Sequence, residues 1–186
     1  MDEKDKKALL QIARESVESA VKGISKDQTQ AELFSPELKR KNGAFVTLRT
    51  RGTLRGCIGR MISDAPLHKL ISEMAVSAAT DDPRFNKIQP SELDDLEIDI
   101  SVLSPLQLAV NPLDFELGRH GIYIKKDSTN GCFLPQVATD TGWSKEEFLT
   151  QCCSTKAGLS PDAWKKGDVD VYIFTSEIIS EKDVDS

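Results

Sequence analysis

From about Asp5 to Ile24, the apolar residues Leu9, Leu10, Ala13, Val17, Ala20, Val21 and Ile24 recur at helical spacing and predict an amphipathic helix. Ser25 to Ala31 is polar and reads as a linker, and Ser35-Pro36-Glu37 as a turn or a short helical start. Alternation takes over in Gly43-Ala44-Phe45-Val46-Thr47-Leu48-Arg49, where β-branched and aromatic residues mark a strand. Arg51-Gly52 then turns the chain into a second strand, Thr53 to Gly59. Leu67, Leu70, Ile71, Met74, Ala75, Ala78 and Ala79 outline a second helix. It should stop at Asp82-Pro83, because proline disfavours the helical conformation in the residue before it. Leu96 to Leu103 alternates apolar with acidic or polar residues and predicts a half-buried strand.

Farther on the pattern is choppier. Short strands are expected at 113–117, 121–126 and 131–134. Ser144 with Glu147 forms a capping-box signature for a helix to about Lys156, with Gly158 as its C-cap. Ser160-Pro161 predicts a further short helix, and Val169 to Phe174 a closing strand. The acidic tail, 177–186, is expected to fray. Helices and strands mix without a regular βαβ beat, so the predicted class is α+β with mostly antiparallel sheet.

The chain has 186 residues, enough for one unit with a proper core and room for a smaller lobe. No apolar run approaches the roughly 20 residues that span a bilayer. The charged start, Met1 to Lys7, lacks the apolar stretch of a signal peptide, so the cytoplasm is expected. A net charge of −6 disfavours nucleic acid, and the short Lys39-Arg40-Lys41 cluster reads as solvated surface. Cys57, Cys132, Cys152 and Cys153 lack disulfide-framework or zinc spacing and read as free thiols. Neither a dinucleotide fingerprint nor a Walker loop is present, and the sequence names no cofactor and no metal site.

The densest chemistry lies in Leu54-Arg55-Gly56-Cys57-Ile58-Gly59. Cys57 between Gly56 and Gly59 suits close approach of a ligand, and a neighbouring cation favours the reactive thiolate. Three roles stay open for it: nucleophile, ligand contact, or packing on a strand. His120 and His68 are the available bases. Arg55 is expected on the same strand face as Cys57, where it would clamp a carboxylate or phosphate, or else form an ion pair. Asp81 and Asp82 sit at a helix C-terminus that disfavours carboxylates, so Arg84 or Arg55 should compensate. Asp81 and Asp82 are read either as partners in that ion pair or as doing general acid, base or metal work. Gln136, in Leu134-Pro135-Gln136, belongs to a rigid turn or presents an amide to a ligand. Trp143 and Trp164 read as packing residues.

Four blocks, taken in order, carry a resemblance: residues 43–48 running into 54–59, Asp82-Pro83-Arg84-Phe85, Leu96 to Leu106, and Phe133 to Ala138. With Trp143 and Lys156-Ala157-Gly158-Leu159 they resemble the AMMECR family over about residues 5–175, and the hexapeptide 54–59 is that family's signature. The resemblance implies an α+β fold with a larger lobe holding both termini, a smaller lobe, and the signature near a cleft. It implies no reaction. It does suggest a pathway shared with Memo-type and radical S-adenosylmethionine proteins. The chain departs from the family pattern at Asn86-Lys87, at Ser144 and at the doubled Cys152-Cys153. Two readings follow. In one, a small molecule is processed in a cleft of Arg55, Cys57, Asp82, Arg84 and His120, with Gly56, Gly59 and Gln136 against the ligand. In the other, a non-catalytic adaptor docks through the 54–59 segment.

Overall fold

A computed structural model describes residues 1–24 and 34–184. The expected linker over 25–31 lies outside the described residues. The chain divides into two compact units, Met1–Leu103 with Glu177–Ser186, and Ser104–Ser176.

The first unit holds a four-stranded sheet of order β2-β1-β3-β8, formed by β1 (Ala44–Thr50), β2 (Thr53–Arg60), β3 (Leu96–Leu103) and β8 (Ser176–Ser180). Helices α1 (Glu3–Lys22) and α2 (Leu67–Thr80) supply its apolar partner. Leu9, Ala13 and Val17 of α1 and Leu70, Ile71 and Met74 of α2 share one core with Val46, Leu48, Ile98 and Ile100. Period-2 alternation therefore turns Phe45, Thr47, Arg49, Glu97 and Asp99 to the face away from the helices. Asp2 caps α1 by accepting from the Asp5 N–H, and Gly23 ends it in the left-handed conformation (φ 66°).

The β1–β2 hairpin turns at Arg51 (φ 51°) and Gly52 (φ 79°), the paired positive φ of a tight hairpin. Its register then slips: Arg49 faces Leu54, but Leu48 faces Gly56. Arg55 is thus the extra residue of a β-bulge, and the simple alternation that would have put it beside Cys57 is broken.

The acidic tail departs from expectation. Residues 176–180 form β8 at the sheet edge, and α5 (Glu181–Val184) follows. Glu181 is the anchor: its carboxylate takes the Arg14 guanidinium and the Ile98 N–H, while Arg14 also donates to the carbonyls of Leu93 and Leu96.

The second unit carries a sheet of order β4-β7-β5-β6, from β4 (Gln107–Leu108), β5 (Gly121–Lys126), β6 (Thr129–Phe133) and β7 (Asp170–Phe174). Its core joins Phe115, Ile122, Phe133, Phe148, Trp164 and Val171. The strand expected at 113–117 is a series of turns, with Phe115 alone buried; β4 lies just before it. Leu134-Pro135-Gln136 opens a helix, α3 (Pro135–Thr141), with proline where a missing N–H does no harm. Ser144 and Glu147 make the expected capping box of α4 (Lys145–Gln151), which widens into a π-helical turn over Cys152–Lys156. After Ser160-Pro161 the chain makes turns rather than a helix. The fold class is α+β with two antiparallel sheets. Among the described residues no helix is long and apolar enough to cross a membrane.

Candidate functional site

Cys57 sits on β2, the edge strand of the first sheet, opposite Thr47. An edge strand leaves alternate peptide groups without a ladder partner. At Cys57 both are taken by one short segment just past α2. The Cys57 N–H donates to Asp82 Oδ2 (2.9 Å), and Arg84 Nη2 donates to the Cys57 carbonyl (3.1 Å). The Cys57–Thr47 pair is therefore the non-hydrogen-bonded kind, in which side chains approach closely. Thr47 Oγ1 lies 3.2 Å from Cys57 Sγ.

Asp82 and Arg84 are rigidly joined. Arg84 Nε donates to Asp82 Oδ1 (2.9 Å), Nη2 to Oδ2 (2.7 Å), and the Arg84 backbone N–H to Oδ1 (3.1 Å). The Asp82 side chain is 2% exposed and that of Arg84 54%. The guanidinium hydrogen bonds, aided by the Cys57 and Arg84 N–H groups, hold the Asp82 carboxyl well below the usual carboxylate range. Arg84 is raised in turn, first by Asp82 and further by the Cys57 thiol. A carboxylate that accepts four hydrogen bonds is a poor base for a thiol proton, so this geometry gives Asp82 a positioning role. It also answers the helix-end problem: Asp82 is neutralised by Arg84, whereas Asp81 stays exposed, with the Thr80 hydroxyl 3.0 Å from its carboxylate.

Arg55 is fully engaged elsewhere. Its Nε and Nη2 clamp Glu92 (2.7 and 3.1 Å), and its Nη groups cap the carbonyls of Asn86 and Lys87 (2.6 and 3.2 Å). Glu92 also takes the Gln89 N–H, and Arg55 first and that amide second lower its pKa. Of the two roles the sequence left open for Arg55, the ion pair is the one formed, and it staples residues 86–92.

The glycines have architectural reasons. A Cβ on Gly56 would collide with the carbonyl oxygen of Ala78 in α2, and one on Gly59 with the Phe45 ring. His68 is buried and stacks on Phe34 at 4.7 Å, with its pKa lowered by burial and then by Lys69 and Lys39.

His120 and Gln136 belong to the second unit. His120 Nδ1 accepts the Glu116 N–H (3.0 Å), so the neutral ring carries its proton on Nε2. Its basic nitrogen is occupied, and the outer nitrogen is a donor. Gln136 Oε1 is buried and accepts no hydrogen bond among the described residues. Sequence reasoning missed Thr47 and Glu92. A bulge-free hairpin about Arg51-Gly52 would pair Thr47 with Gly56, and the bulge moves it opposite Cys57.

The AMMECR1 family model matches residues 10–179. The chain belongs to the AMMECR1 family. A protein of Thermococcus onnurineus is 41% identical over 94% of this chain and 89% of its own length. One from Methanosarcina mazei is 37% identical over 100% of this chain and 96% of its own length. The crystal structure of the uncharacterized protein PH0010 from Pyrococcus horikoshii superposes with a TM-score of 0.86 at 36% identity, covering 96% of this chain and 92% of that one. AMMECR1 membership accounts for the fold and leaves the reaction unassigned.

Proposed function

We propose that this protein binds a small anionic molecule at Arg84, with the Cys57 thiol in contact with it. The single observation behind this reading is how Arg84 is spent. Nε and Nη2 are consumed by Asp82 and the Cys57 carbonyl, and the guanidinium also meets the Cys57 thiol. A guanidinium fixed by a buried carboxylate, with one edge turned outward beside a partly accessible thiol, is pre-organised for a ligand. Free thiols suit a reducing cytoplasm, which belongs to the same proposal.

The test is alkylation of the folded protein by iodoacetate and by iodoacetamide, resolved at Cys57 by peptide mass spectrometry. The anionic reagent should gain several-fold over the neutral one, relative to the unfolded chain. That gain should fall with salt and in Arg84→Gln, with Arg84→Lys as the charge-keeping control. A ratio equal to that of the unfolded chain would sink the proposal.

The occupied state of Asp82, Arg55 and the His120 Nδ1 favours a second, non-catalytic reading. In it the segment docks a partner protein, for which Memo-type or radical S-adenosylmethionine proteins are candidates. Cys57→Ser would then leave partner binding unchanged.

A further inference from the structure

The hydrogen-bond parity of β2 extends the site by one residue pair. Cys57 directs both peptide groups off the sheet edge, so Ile58 must direct its own toward Val46, and Gly59 again outward. Among the described residues no side chain caps Gly59 as Asp82 and Arg84 cap Cys57. Along the edge, Asp82 Oδ2 stands at the Cys57 N–H and Arg84 Nη2 at the Cys57 carbonyl. The guanidinium is a rigid fork whose Nε–Nη2 side is held by Asp82, so its remaining nitrogen, Nη1, is directed along the edge away from Asp82. The next outward donor in that direction is the Gly59 N–H. The partly buried Phe45 ring lies over the face of Gly59 and gives the same place an apolar wall.

Charge narrows the ligand. Arg84 is matched one to one by the buried carboxylate of Asp82, so what faces a ligand is the exposed edge of a single, partly balanced guanidinium. The chain as a whole carries −6. Such a place suits a monoanion better than a dianion, whose second charge would meet no partner.

We infer that the ligand presents a monocarboxylate, seated between Arg84 Nη1 and the Gly59 N–H, with its apolar body on Phe45 and its next group toward Cys57. This rests on the reading that Arg84 and Cys57 face a ligand.

The experiment is amide NMR on the full chain, titrated with butyrate, with butyramide as its neutral counterpart, and with sulfate as a dianion, all at matched ionic strength. Butyrate should shift the Gly59 amide saturably, with butyramide and sulfate weaker, and Arg84→Lys should weaken the butyrate response. Sulfate moving Gly59 at lower concentration than butyrate would overturn the carboxylate assignment. Butyrate moving Cys57 and Arg84 signals but not Gly59 would overturn the seat on the edge, and leave the anion-binding reading standing. No shift at any of the three, together with equal alkylation ratios, would remove both.

Discussion

The clamp on Cys57 makes a quantitative demand at Asp82. In Asp82→Asn one carboxylate oxygen becomes an NH2 group and must face a donor. At least one of the four donors, the Cys57 N–H or the three from Arg84, loses its acceptor. The guanidinium also loses its counter-charge. A hydrogen bond to a charged group contributes about 1.5–3 kcal/mol. Breaking a buried ion pair costs about 3–5 kcal/mol. Arg84 is half exposed, so water recovers part of its solvation, and the lower end applies: about 2–3 kcal/mol. In urea that is a midpoint lower by about 1 M for a slope of about 2–3 kcal/mol/M.

The pH dependence carries its own sign. The folded carboxyl is held below its ordinary value of 3.8, so the unfolded chain takes up the proton first. Its stabilisation is fully present above the carboxylate range and is lost as pH falls through 3.8 and below. The gap between wild type and Asp82→Asn should therefore be widest near neutral pH and narrow steadily on acidification. Urea unfolding followed by far-UV circular dichroism measures the gap, and amide exchange at Cys57 shows whether its N–H has lost protection. A gap under about 0.5 kcal/mol, or one of constant width down to acid, would refute the clamp as described.

Gly56→Ala should cost about 2–3 kcal/mol, because the new methyl meets the backbone of α2 at Ala78 rather than a side chain that can swing away; thermal unfolding against wild type measures it. Among the thiols, Cys57 and Cys132 should alkylate in the folded protein. Cys152 and Cys153 should stay inert until denaturant is added, being fully buried with their pKa values pushed up chiefly by that burial; time-resolved peptide mapping gives the order.

What was legible in the sequence was local. The stripe Leu9–Val17, the Arg51-Gly52 turn and the Ser144–Glu147 capping box each declare themselves within a few residues, and each is found. What stayed hidden depended on partners far along the chain. The tail looked like a fraying acidic end because Glu181 meets Arg14 across 167 positions, and no periodicity reports such a pair. The bulge at Arg55 hid for a related reason. A one-residue slip leaves composition and alternation almost unchanged, yet it sends the guanidinium to Glu92 and brings Thr47 to Cys57. Asp82 and Arg84 were found together because helix-end electrostatics is local, but the peptide groups they cap belong to a strand 25 residues earlier.

Subtracting architecture from the 54–59 segment concentrates the functional question. Gly56 is there to let α2 approach, Gly59 to make room for Phe45, and Arg55 to staple residues 86–92 through Glu92. The Cys57 peptide groups are used in sealing a sheet edge. A purely structural motif would stop there, since an edge can be sealed by any residue and needs no thiol. Two features remain beyond what the fold consumes: Cys57 Sγ, which meets the Thr47 hydroxyl and the Arg84 guanidinium, and the outer edge of Arg84. The same Asp82–Arg84 pair that removes the strand's docking capacity at Cys57 turns a guanidinium edge outward next to the thiol. Sealing the edge and building a ligand seat are thus one act of geometry. For that reason the reagent-charge ratio at Cys57 tests function, while the stability of Asp82→Asn tests only the fold.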